Sequence, residues 1–195
     1  MIPNNRLSSD LMLEEWLIPY PDSDFTRTEG YEFGPSVLLN TESELDAEIW
    51  KYTYVNDKIY MTKMSTGEVF PLENNVVGAS EISVCFNQSA QPVTAYTLDG
   101  ITYLKWFDTQ TAQYVVTNLG IGLTSPRVIL DIKDKKSNQS DVILFYFRSN
   151  TQLCCRYQRD RFSIEYTLKT LPPHRLIRVG FNKIHRIQFL IEEVL

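Results

Sequence analysis

The sequence predicts a mainly β protein made of antiparallel meanders that resemble β-propeller blades, preceded by a short helix and an extended arm. Three observations carry this. After Glu48, apolar and polar residues alternate in short runs rich in Val, Ile, Tyr, Phe and Thr, the pattern of half-buried strands. Hairpin signals separate those runs, and the turn residues Asp57, Asp99 and Asn150 lie 42 and 51 residues apart. The first 48 residues lack the alternation and turn instead to Pro, Gly, Ser, Asp and Glu.

In chain order, Leu13, Trp16, Leu17 and Tyr20 fall at i, i+3, i+4 and i+7, which predicts a short amphipathic helix starting after Asp10 and stopped by Pro19. From Pro19 to Asp46 single aromatics (Tyr20, Phe25, Tyr31, Phe33) punctuate an extended segment. Residues 1–48 therefore read either as an arm or as a helix and loop folded back on their own domain, and residues 49–195 as an all-β domain. There, Ile49–Val55 and Ile59–Met64 flank Asn56-Asp57, with Glu68–Phe70 following. Val93–Leu98 and Ile101–Phe107 flank Asp99-Gly100, a pair that tolerates positive φ and so marks a tight hairpin; Gln113–Thr117 comes next. Val142–Phe147 turns at Ser149-Asn150-Thr151 and returns through Leu153–Tyr157 and Phe162–Tyr166. Ile82–Phe86, Arg127–Ile132, Leu176–Val179 and Ile184–Leu190 add further strands. The spacing suits propeller blades, small meanders that cannot bury their faces alone. A partial propeller, a four-bladed propeller and a β-sandwich all satisfy the pattern.

Composition sets the bounds. At 195 residues and 43% hydrophobic content the chain can bury a sizeable core. No stretch reaches the roughly 20 apolar residues that span a bilayer, and MIPNNRLSSD lacks the features of a secretory signal, so a soluble protein with no membrane anchor, kept in a cytoplasm, is expected. Three cysteines make a disulfide framework unsuitable; Cys154 and Cys155 are adjacent in a strand and point to opposite faces, so all three are expected to be reduced and partly buried. The net charge of −5 is unevenly spread. Residues 1–60 carry −8, residues 61–140 carry −1 and residues 141–195 carry +4. That polarity suits solvated faces or head-to-tail contact between copies, acidic against basic. An acidic total disfavours extended nucleic-acid binding, which needs a positive stripe.

Motifs for chemistry are missing: no phosphate loop, nucleophile elbow, HExxH or CxxC. His174 and His185 have no ligand-spaced companions for a metal; His174 reads as a surface residue in a turn after Pro172-Pro173, and His185 as lying on the polar face of the last strand. Acid pairs such as Asp22 with Asp24 and Glu42 with Glu44 sit in sequence with nothing to raise a pKa. We therefore expect no enzyme activity, no catalytic residue, no cofactor and no metal. What stands out is Arg148, Arg156, Arg159 and Arg161 within paired strands. In one reading Arg148 and Arg156 face each other across a hairpin and balance Asp141, Asp160 and Glu165. In the other, the QRDRF turn offers Arg159 and Arg161 to a partner's carboxylates, with Tyr157, Phe162 and Tyr166 as aromatic anchors.

The runs SDVILFYFR (140–148), LCCRYQRDRFSIEYTL (153–168) and LIRVGFNKIHRIQFLIEE (176–193), with TAYTLDGITYLKWFDTQTAQYVV (94–116), resemble virion proteins of tailed bacteriophages and prophages. The likeness is to β-rich tail components of the nozzle or tail-tube kind in short-tailed phages, and it spans about residues 80–195. It implies a structural component of a phage tail or head-tail connection, made in the host cytoplasm and carried in the virion. Such a part assembles as a symmetric homo-oligomeric ring, contacts other tail or connector proteins, and lets DNA pass without specific binding. The expected interface is Trp16, Tyr20 and Phe25 on the arm side, against Arg148, Arg156, Arg159 and Arg161. A receptor- or carbohydrate-binding module using Trp50, Tyr52, Tyr54, Tyr103 and Trp106 is the alternative, although such alternating aromatics more often pack in a sheet core.

Overall fold

The structure, a computed structural model, describes residues 17–19, 50–63, 66–73, 76–87, 89, 91–131, 142–181 and 187–194. These form β1 (Leu17–Pro19), β2 (Trp50–Val55), β3 (Lys58–Lys63), β4 (Val69–Glu73), β5 (Glu81–Phe86), β6 (Pro92–Leu98), β7 (Ile101–Asp108) and β8 (Gln113–Ile121). They continue with β9 (Leu123–Leu130), β10 (Val142–Arg148), β11 (Gln152–Tyr157), β12 (Tyr166–Thr170), β13 (His174–Phe181) and β14 (Ile187–Glu193). One 3-10 turn, Gln158–Asp160, lies between β11 and β12. The chain is mainly β, as its alternation predicts, and no sheet closes on itself among the described residues.

The strands make four sheets in chain order: β2-β3-β4, β5-β6-β7-β8, β9-β10-β11-β12, and β13-β14 with β1 added on the outside. Apart from β1, every pairing is antiparallel between chain neighbours. The anticipated hairpins are present, and their chemistry is visible in the backbone. Asn56-Asp57, Asp99-Gly100 and Ser149-Asn150 each carry positive φ at both central residues, the turn whose twist matches that of the strands it joins. These turns join β2 to β3, β6 to β7 and β10 to β11. The strands β2-β3-β4 therefore correspond to β6-β7-β8 and to β10-β11-β12.

Consecutive sheets pack face to face over three cores. Ile59, Met61, Val76 and Val84 fill the first, with Tyr52, Tyr54 and Tyr96 packed against them. Cys85, Leu104, Trp106, Leu144, Tyr146, Cys154 and Phe162 belong to the second. Phe145, Phe147, Cys155, Tyr157, Leu176, Phe189 and Ile191 belong to the third. The period-two rule thus sends Cys154 and Cys155 into different cores, and both thiols, with that of Cys85, are free and buried. Burial pushes the Cys155 thiol up to about 12.

The leading strands lie side by side. Strand β9 runs between β5 and β13; its Val128 N–H donates to Ser83 Oγ (3.0 Å) and its Arg127 Nε–H to the Ile177 carbonyl (2.8 Å). Tyr52, Ser83, Arg127 and Arg178, from β2, β5, β9 and β13, line one small open cavity where these strands meet.

Three expectations are corrected. Leu17–Pro19, expected to end a helix, are extended and pair in parallel with Phe189–Ile191; proline disfavours the α region for Ile18 before it, and β14 offers an edge. The rest of the expected helix and arm, with Trp16, Tyr20 and Phe25, lies outside the described residues. The strand expected at Phe162–Tyr166 begins only at Tyr166, because Arg161 and Phe162 both adopt left-handed backbone (φ 53° and 55°) that swings the Phe162 ring into the second core. His174 opens β13 instead of lying in a turn, half-buried with its ring stacked on Phe147.

Candidate functional site: the arginine surface

Arg148 and Arg156 do not stand opposite each other. The register pairs Arg148 with Gln152 and Arg156 with Leu144, so the two share a face at separate heights. Glu165, just before β12, bridges that gap. Arg148 donates to it through Nε (2.9 Å) and Nη2 (2.5 Å), Arg156 through Nη2 (3.4 Å), and the Tyr146 hydroxyl donates a further short bond. Arg156 Nε also donates to the Tyr146 oxygen, and its Nη1 to the Phe162 carbonyl. Burial pulls the Glu165 carboxyl up, but the bonds from Arg148 and Tyr146 and the charges of Arg148 and Arg156 outweigh it and hold the group below the ordinary carboxylate value. Two cations, a phenol and one carboxylate thus satisfy one another within a single sheet. Asp141, the other acid expected here, lies outside the described residues, and Asp160 instead accepts from the Tyr166 hydroxyl (3.0 Å).

Arg161 reaches across to the neighbouring sheet. Its guanidinium donates to Asp108 Oδ2 (2.5 Å) and to Gln110 Oε1 (2.8 Å) at the end of β7. The Asp108 side chain is only 2% exposed and also accepts from the Gln110 N–H and the Thr111 hydroxyl. Sequence reasoning did not single out Asp108; the signal it offered was a turn-forming Asp-Thr-Gln-Thr after a strand. Arg159 is exposed and stacks over the Tyr157 ring at 4.3 Å.

The aromatics assigned to an interface are largely internal. Tyr157 and Phe162 are buried, Phe162 edge-on to Trp106, and Tyr166 packs edge-on to Tyr157. Of the aromatics weighed for a glycan surface, Trp106 is buried and donates to Thr117, Tyr52 and Tyr54 are half-buried against the first core, and Tyr103 stacks on Tyr96. Among the described residues no group of three or more His, Cys, Asp or Glu is placed to hold a metal ion. His185 and the Trp50 side chain lie outside the described residues. The site and fold define a β protein of stacked meanders whose described arginines mostly make bonds within the chain. No protein-family model matches the chain, and no curated protein matches it.

Proposed function

We propose that this chain is a structural component of a bacteriophage tail or head-tail connection, whose copies assemble head to tail into a symmetric ring around the DNA conduit. The observation that carries it is the repeat itself. Equivalent meanders joined by equivalent hairpins stack face to face with leading strands β5, β9 and β13 adjacent, which is how propeller blades are arranged about an axis. Among the described residues no sheet closes on itself, and the charge of the chain is −8 over residues 1–60 and +4 over residues 141–195. Opposite polarity at the two ends of the sequence favours heterologous contacts, the kind that close into rings. The resemblance of residues 80–195 to β-rich tail components supplies the biological setting. Neighbouring tail or connector proteins are the partners, and DNA passes without specific binding.

The internal bonds narrow the interface on the basic side. Reversing Arg161 would strip the buried Asp108 of its cation, so Arg159, which is exposed and stacks over the Tyr157 ring, is the position to reverse. Light scattering on the full chain should give a multi-copy species at low salt that dissociates at high salt, and Arg159→Glu should weaken it, with the unfolding midpoint of that chain measured to confirm that it is folded. A mass of one copy at every salt concentration overturns the ring.

A further inference from the structure

The equivalent outer strands β4, β8 and β12 differ in one respect that bears on assembly. Among the described residues each ends its sheet and so presents a row of backbone groups that any extended chain can pair with unless the edge is guarded. Strand β4 has five residues with Pro71 at its centre, and its ladder with β3 shifts register between Ile59 and Tyr60; proline cannot donate to a ladder. Strand β12 is also five residues long, carries Lys169 and pairs through a shift at Leu153/Cys154. Strand β8, QYVVTNLGI, has nine residues and neither a charge nor a proline. Its single register shift leaves Leu119 as the bulged residue, so Gln113–Asn118 forms an unbroken ladder with β7. Along that stretch Tyr114 and Val116 point outward, 47% and 55% exposed.

The geometry points to β8 as the contact with a second copy of this chain, pairing antiparallel with its own counterpart about a two-fold axis at Val116. The argument for a second copy is self-complementarity. An axis at Val116 sets Val116 against Val116, Val115 against Thr117 and Tyr114 against Asn118, keeping each side chain on its own face. Every pair is uncharged, so no like charges meet across the ladder. The same operation on β4 would centre on Pro71, which has no N–H to give. The pairing joins two four-stranded sheets into one of eight strands and sets the exposed Tyr114 and Val116 side chains beside their cross-strand neighbours on one face.

This contact is backbone-mediated and apolar and therefore persists at high salt, where the ring proposed above dissociates. The test is the mass of the full chain at high salt over a wide range of concentration, for wild type, Val116→Lys and Val116→Ile. Two copies are expected for wild type and Val116→Ile, and one copy for Val116→Lys, with the three unfolding midpoints measured to confirm that each chain is folded. A single copy for wild type at high salt overturns the pairing, and so does a Val116→Lys chain that keeps two. Loss of the larger low-salt species in Arg159→Glu leaves this result unaffected, so the two assemblies fail separately.

Discussion

The sheets β5–β8 and β9–β12 have the same strand order and an equivalent hairpin, yet they bury their two faces to different extents. In β10 six consecutive residues, Val142 to Phe147, are buried, because one face packs on the second core and the other on the third. In β7 burial alternates strictly with half-exposure, and in β8 most positions are exposed. The first sheet covers Ile82, Phe86 and Tyr96 on its neighbour but leaves Tyr114 and Val116 open. A strand's place in the stack, more than its topology, therefore sets how apolar it must be. VILFYF and ITYLKWFD carry that distinction in their sequences.

The comparison breaks most sharply at the centre of β10. Phe145 is fully buried and packs edge-on to Phe189 at 4.9 Å, so Phe145→Ala should lower stability by about 3–5 kcal/mol in denaturant titration. Phe107→Ala on β7, a half-buried ring edge-on to Tyr114, should cost only about 1 kcal/mol. Equal losses at the two positions would refute the difference in burial between the sheets.

The link between the sheets gives an intermediate effect. Asp108→Ala removes a buried acceptor of three donors and should cost about 2 kcal/mol. Arg161→Ala leaves the carboxylate its two local donors and should cost about 1 kcal/mol. If Arg161→Ala proves the more damaging, the bridge is not anchored by Asp108 as described.

Smallest is a pH effect confined to the second of the two sheets. The folded Glu165 carboxyl is held below its ordinary value, so it contributes stability that is present above about pH 4.3 and lost as pH falls through the folded value. Glu165→Gln should therefore flatten the acid side of the stability profile measured by denaturant titration across pH. An unchanged acid slope in Glu165→Gln would show that Arg148 and Arg156 do not hold that carboxylate in solution.

Much of the architecture was legible because strands and tight turns are encoded over a few residues. Asp99-Gly100 announces a hairpin through its tolerance of positive φ, and adjacent Cys154 and Cys155 must point apart in any strand. The arginine surface was legible in part. That Glu165 balances Arg148 and Arg156 follows from the acids nearby, but their arrangement at separate heights depends on where the hairpin register falls. Phe162 misled as an interface anchor because left-handed backbone at Arg161 and Phe162 breaks the alternation that placed it on a strand.

Local periodicity and backbone sterics were enough to place the hairpins at Asn56-Asp57, Asp99-Gly100 and Ser149-Asn150 and the strands they join, though not Leu17–Pro19 or the start of β12. Only the tertiary structure decided that Arg161 meets Asp108, 53 residues earlier, and that Leu17–Pro19 pair with the far end of the chain along β14. It likewise decided that Tyr114 and Val116 on β8 are exposed. Those outcomes depend on which sheet lies against which, and local periodicity specifies a buried face without naming the surface that will cover it.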